Sequence, residues 1–232
     1  MYKKALSLAS GMLALALLVS GCGGSKTASP PTTQPAANTS PTFTTANPPL
    51  DLHDRLLPLS DLPAGWQSIP VKSPNATSEP SCFAALERPT GALGKVTELF
   101  RASATSAAAF AESLALYKNA AVAGAVMVRH VALINSCAKG VWHVGGHTFV
   151  STVSKLSFPT TGDASSALRI NFTTLVTTSR GRQLLVLSFD VIAVRKGRML
   201  MRDYLAGAGI ADYALFSHLT NTAAARLGAG TP

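Results

Sequence analysis

The chain has 232 residues, 47% hydrophobic and 13% charged, with 20 Lys+Arg against 11 Asp+Glu and a formal net charge of +9. Apart from Arg180/Arg182 and Arg195/Lys196/Arg198 the basic residues are scattered. That argues against a nucleic-acid partner and for a solvated surface or attraction to anionic lipid headgroups and cell-wall polymers.

Residues 1–21 have the three parts of a secretory signal: Lys3 and Lys4, an apolar run from Ala5 to Val19, and small residues Ser20 and Gly21 before Cys22. The apolar run falls short of the roughly 20 residues that span a bilayer as a helix. Leu18-Val19-Ser20-Gly21-Cys22 resembles a bacterial lipobox. The resemblance implies that Cys22 becomes the acylated first residue of the mature chain. The alternative is an ordinary cleaved signal in which Cys22 is incidental. Two or more acyl chains, at about 0.8 kcal/mol per buried CH₂, anchor stably where one does not. The expected location is therefore the outer, extracytoplasmic face of the plasma membrane, with the membrane as a partner through the N-terminal lipid. Loss of Lys3 and Lys4 with the leader leaves 18 Lys+Arg against 11 Asp+Glu, a net of +7.

Residues 22–50 read as a disordered tether, rich in Ser, Thr, Pro, Ala and Gly, because such a composition cannot bury enough apolar surface to offset its ordering entropy. Residues 51–232 then form one α+β domain, long enough for a real core and too short for two. With Cys22 acylated, Cys82 and Cys137 remain, and two thiols in an oxidising compartment most simply form one disulfide. Closing that loop stabilises by roughly 4 kcal/mol in the chain-entropy model.

The domain opens with proline-broken apolar segments, Leu56-Leu57-Pro58-Leu59 and Asp61-Leu62-Pro63-Ala64-Gly65-Trp66. Val96 to Ala102 fits a strand. Ser106 to Tyr117 has Phe110, Leu114 and Tyr117 at helical spacing, and a second helix is expected from Ala120 to Cys137 with Val122, Val126, Leu133 and Cys137 inward. Lys118, Arg129, His130 and Asn135 rule out a membrane span there.

From His147 the period becomes two. His147–Phe158, Ser166–Thr178, Leu184–Arg195 and Arg198–Leu205 read as antiparallel strands with short joins. Leu168, Ile170, Phe172 and Val176 should face one way, as should Leu185, Leu187, Phe189 and Val191 on the next strand. Asp212 should cap a last helix over 213–227 with Leu215, Leu219 and Ala223 inward. The fold class expected is α+β: an antiparallel sheet of about five strands with helices packed on one face.

No residue set supports catalysis. Ser136 and Lys139 have the spacing of penicillin-recognising enzymes but lack the companion motifs, and no Gly-x-Ser-x-Gly occurs. His143 and His147 flank a glycine pair, yet a zinc site needs further ligands, so no metal and no cofactor is expected. Trp66, Trp142, Phe149 and Phe158 suit core anchors better than a ligand pocket. The polar residues Lys155, Arg169, Asn171, Ser188, Asp190 and Arg202 are candidate ligand contacts. They could form the polar wall of a cleft for an anionic envelope lipid, glycan or cell-wall ligand, a solvated outer face, or structural ion pairs such as Asp190 with Arg169.

The segment Asp61–Trp66, the helical pair ending at Cys137, and Asp190-Val-Ile-Ala-Val-Arg-Lys-Gly197 before a strand and a final helix resemble actinobacterial lipoproteins similar to the extracytoplasmic sensor domain of PknH-type receptor kinases. The resemblance spans roughly residues 56–227. It implies a helix-plus-antiparallel-sheet fold with a cleft and a role in ligand sensing or binding, with no catalytic residue carried over. The function expected is a non-enzymatic ligand-binding or sensor-type domain. An envelope lipid or glycolipid carrier is the alternative, and an envelope hydrolase comes third.

Overall fold

The computed structural model describes residues 51–70, 91–103, 106, 108–137, 140–144, 147–179, 181–209 and 212–228. The leader, Cys22, the tether and Cys82 lie outside the described residues. Cys137 ends a helix, but its side chain is not described, so the disulfide stays an expectation from the sequence.

Two short 3-10 turns, His53–Arg55 and Leu59–Asp61, lead into strand β1 (Gln67–Ser68). There follow β2 (Ala92–Arg101), β3 (Ala109–Tyr117), helix α1 (Ala120–Cys137), β4 (Gly140–Val144), β5 (His147–Lys155), β6 (Ala164–Thr178), β7 (Gly181–Lys196), β8 (Met199–Ala208) and helix α2 (Tyr213–Gly228). The strands form one antiparallel sheet in the order β1-β2-β3-β8-β7-β6-β5-β4. Strand β8 thus inserts between β3 and β7 and joins an N-terminal group of strands to a later meander.

The expectation of about five strands is corrected to eight. The segment 106–117, expected as a helix, is largely strand β3. Its Ala-rich composition and the Phe110–Leu114–Tyr117 spacing suit a helix. In the fold, however, β3 is buried on both faces, with Phe110, Glu112 and Leu114 on one and Ala111, Ser113 and Ala115 on the other. A strand covered on both sides loses the polar alternation that would identify it. Strand β4 adds another to the count: it pairs with β5 from Val144↔His147 to Gly140↔Ser151.

The placement of the helices is corrected as well. They lie on opposite faces of the sheet. Helix α1 packs Ala123 and Met127 against Ala115, Tyr117, Ala193 and Leu200, and Ile134 joins Phe149, Ile170, Phe172 and Leu187 farther along. Helix α2 packs Phe216, Leu219, Ala223 and Leu227 against Phe110, Leu114, Ile192, Met201 and Leu205. The opening segment, through Leu52, Leu56, Leu57 and Leu62, lies on this same α2 side. The inward stripe of α1 is Ala123, Met127, His130 and Ile134, one residue round from the expected one. Small Ala123 lets the helix approach the sheet, whereas the branched residues mark its flanks.

The period-two reading of β6 and β7 holds. Leu168, Ile170 and Phe172 face α1, while Arg169, Asn171 and Ser188, Asp190 face the α2 side. Asp212 caps α2 as expected: its carboxylate accepts from the Leu215 N–H at 3.1 Å. The β5–β6 connection is fastened to the β7–β8 turn. Asp163 accepts from the Gly197 N–H at 2.7 Å and from Arg195 at 3.2 Å. Gly162, at φ +68°, sits so close to the Arg195 carbonyl that a Cβ would come within 2.4 Å. No helix among the described residues is long and apolar enough to cross a membrane.

Candidate functional site

Four of the six expected polar residues come together. Arg169 and Asp190 are register partners on β6 and β7, and the guanidinium meets the carboxylate in a two-pronged pair, Nε–Oδ1 at 2.6 Å and Nη2–Oδ2 at 2.7 Å. Asp190 is fully buried, and the Arg169 side chain keeps 15% exposure. Two residues along, Ser188 donates to the Asn171 Oδ1 at 2.9 Å. Such bidentate, charge-assisted pairs are short and directional. The hydrogen bond to Asp190 pushes the Arg169 pKa up. Tyr213, in the first turn of α2, donates to the Ser157 carbonyl, and burial, then the Asp190 charge, push its phenol up. Structural ion pairing, one of the three readings open for these residues, is therefore present at Arg169–Asp190.

Lys155 and Arg202 do not join them. Lys155 aligns with Leu168, on the α1 side, and is exposed. Arg202 is also on the α1 side, buried to 2% exposure beneath the helix. Around it stand His130 of α1 and Tyr117 of β3. Burial, then the Arg202 charge, hold the His130 imidazole well below its ordinary value, so it stays neutral. Burial raises the Tyr117 phenol, with Arg202 opposing. The His130 ring meets Tyr204 edge-on at 6.4 Å.

The largest feature that sequence reasoning missed is a cross-strand row of acids on the α2 side. Glu98, Glu112 and Asp203 are register neighbours across β2, β3 and β8. Glu112 and Asp203 are both fully buried. The Leu57 N–H donates to Glu112 Oε2 at 2.8 Å, which anchors the opening segment to the sheet. Burial pushes the Glu112 carboxyl up to about 7, against the lowering effect of the Leu57 N–H and of Arg226. Burial raises the Asp203 carboxyl well above its ordinary value, and the Glu112 charge adds to it. The Thr220 hydroxyl opposes this from α2 but stands outside full hydrogen-bond geometry, and neither Asp203 oxygen has a hydrogen-bond partner among the described residues. Two adjacent buried carboxyls cannot both ionise cheaply, so the row holds at least one proton near neutrality. Glu112 and Asp203 are closed to solvent under α2 and the opening segment, while Glu98 at the end of the row is half-buried and accepts from the Ser68 hydroxyl at 3.4 Å. The signal in the sequence was a lone acid in an apolar run, Glu112 in Ala-Phe-Ala-Glu-Ser-Leu-Ala-Leu and Asp203 in Met-Leu-Met-Arg-Asp-Tyr-Leu.

The two histidines flanking the glycine pair part company. His143 pairs with Thr148 and Val144 with His147, so their imidazoles leave opposite faces of the β4–β5 hairpin. His143 Nδ1 lies 3.1 Å from Thr148 Oγ1. Among the described residues no group of three or more His, Cys, Asp or Glu side chains could hold a metal ion. Ser136 donates to the Leu133 carbonyl at 3.1 Å, and Lys139 is outside the described residues. The aromatics serve the core: Phe149 is fully buried, Trp142 stacks edge-on with Phe172 at 6.2 Å and donates to Ser151 at 2.7 Å, and Trp66 and Phe158 pack against the α2-side cluster.

No protein-family model matches the chain, and no curated protein matches it. Among solved structures it is similar to the extracellular domain of PknH from Mycobacterium tuberculosis, at 11% identity and a TM-score of 0.47, over 74% of this chain and 93% of that one. At that identity the likeness concerns the fold alone, and no residue role transfers from it.

Proposed function

We propose that this chain is a lipid-anchored, extracytoplasmic lipoprotein with a non-enzymatic binding or sensor-type domain. Support for the anchor comes from the leader and the Leu18–Cys22 string. Support for binding rather than catalysis comes from one observation above all. On the α2 side of the sheet, strands β4 to β7 carry aliphatic, hydroxyl and cationic side chains side by side and open to solvent: Val141, Val150, Thr148, Leu175, Thr177, Arg182 and Leu184. A broad face of that kind suits recognition. Glu112, Asp203 and His130 are buried away from it, Asp190 is buried at its border in its pair with Arg169, and the His143 imidazole is the exposed titratable group on it, beside Thr148. Arg169, Asn171, Ser188 and Asp190 border this face and are proposed to shape its inner margin.

Fractionation of cells expressing the full chain tests the reading. Wild-type protein should stay with membranes through a high-salt wash, and Cys22→Ala protein should be released by that wash. Retention of the Cys22→Ala protein through high salt would refute acyl anchoring. Robust turnover in a broad esterase and peptidase screen would overturn the non-enzymatic part.

A further inference from the structure

The open face has a pattern that names its partner. Val141 is aligned with Val150, and Leu175 with Leu184, all on the α2 side of the sheet, while Thr173 stands between Val150 and Val186 in the adjoining row. The four aliphatics are 60%, 51%, 53% and 65% exposed. Helix α2 covers β8 and the Ile192–Val194 part of β7 and leaves these residues bare, although the opposite surface buries Phe149, Ile170 and Phe172. Exposed aliphatics grouped in this way mark an interaction surface rather than ordinary scatter.

Charge narrows the choice. Arg182 lies on the same side and is exposed, beside Leu184 in the bare end of β7. Between Glu112 and Asp190 the sequence has a single acid, Asp163, which lies by the start of β6, at the far end of the β6–β7 hairpin. Among the described residues the face is therefore apolar, with Arg182 as its cation, the His143 imidazole beside Thr148 and no carboxylate. The chain's approach narrows it further. The segment from Leu52 to Leu62 is packed on this same side of the sheet, over β2, β3 and the end of α2, at the edge away from β4. The chain before it thus joins the domain on this side.

We propose that this face seats the domain on an anionic bilayer surface, with Leu175, Leu184 and Val150 entering the headgroup boundary and Arg182 meeting lipid phosphates. The inference deepens the function proposed above by naming the partner of the open face. A second copy of the chain would set two cationic faces together. An anionic wall polymer would be held by charge alone and would leave the aliphatics without a role.

The test uses the chain from position 22 onward carrying Cys22→Ala, so that no acyl chain can contribute. It is sedimented with vesicles of phosphatidylcholine alone or mixed with phosphatidylglycerol. Binding is expected on the anionic vesicles and should weaken as salt rises. The Leu175→Glu/Leu184→Glu variant should lose about ten-fold or more in affinity, and Arg182→Gln about five-fold, with circular dichroism unchanged in both. A Leu184→Trp variant should show blue-shifted emission on the same vesicles. Three results would overturn the proposal: no binding to anionic vesicles, binding indifferent to all these substitutions, or a dimer that Leu175→Glu/Leu184→Glu dissolves. Equal affinity for a soluble anionic polymer, with no effect of the leucine changes, would likewise reassign the face to the wall. Failure here leaves acyl anchoring through Cys22 standing, because that is read in cells from the acylated protein.

Discussion

Strand β7 contains two environments. From Val191 to Val194 four successive residues are 2%, 0%, 2% and 0% exposed, because α1 lies on one side and α2 on the other. From Gly181 to Leu184 the same strand is open, and Leu184 is 65% exposed. The open end reads Gly-Arg-Gln-Leu and the closed one Val-Ile-Ala-Val, yet Leu184 is as apolar as Ile192 on the same side of the sheet. For those two residues what differs is whether a helix lies overhead. The centre of the sheet, β3–β8–β7, is therefore a closed core that has absorbed even charged groups, while the β4–β6 flank has one packed face and one bare face. The contrast shows that an apolar residue in a strand reports burial only when the layer above it is known.

That contrast can be broken or sharpened by substitution. Phe110 lies fully buried between Phe100 and Phe216, each 6.1 Å away ring to ring. Phe110→Ala should cost about 4 kcal/mol in urea unfolding, and a loss below about 1 kcal/mol would mean that the centre is not a closed core. At the border of the two regions, Arg169→Met strands the buried Asp190 carboxylate. It should cost about 3 kcal/mol, somewhat discounted for the partial exposure of Arg169, and Arg169→Met/Asp190→Leu should recover most of it. No recovery would show that the pair does more than satisfy itself.

The acid row gives a pH test of the centre. The folded state raises Glu112 from 4.5 to about 7, so between those values the folded protein binds more protons than the unfolded chain. Stability should therefore be full below pH 4.5 as far as this group is concerned, fall as pH rises from there through about 7, and level off above it. Glu112→Gln keeps an acceptor for the Leu57 N–H and should add about 2 kcal/mol at pH 8 while flattening this slope. An unchanged slope would place the proton elsewhere. The smallest effect belongs to the flank: Leu184→Ala should change stability by no more than about 0.5 kcal/mol. A loss of about 2 kcal/mol would show that something in the chain covers that face.

Much of the meander was legible. The alternation in β6 and β7 is strict where one face carries Leu168, Ile170 and Phe172 and the other Arg169 and Asn171, but the pairing of Arg169 with Asp190 was one of three readings it left open. Asp212 announced α2 by its side-chain cap. Strand β3 was not legible, because Ala109–Tyr117 is apolar at nearly every position and its alternation of large and small residues mimics a helical stripe. The candidate set was half legible for a related reason. Lys155 and Arg202 are polar residues in strands, like Arg169, but their registers turn them to the opposite face. Polarity alone does not reveal which face of a sheet a residue occupies.

Local chemistry along the chain determined the strand period, the caps, the turns and the export signature, because each depends on residues within a few positions of one another. The position of β8 between β3 and β7, the burial of Glu112 beside Asp203, and the bare flank were decided only by the tertiary structure. Each depends on which distant segments become neighbours, and the insertion of β8 and the division of the two helices between opposite faces settle that together.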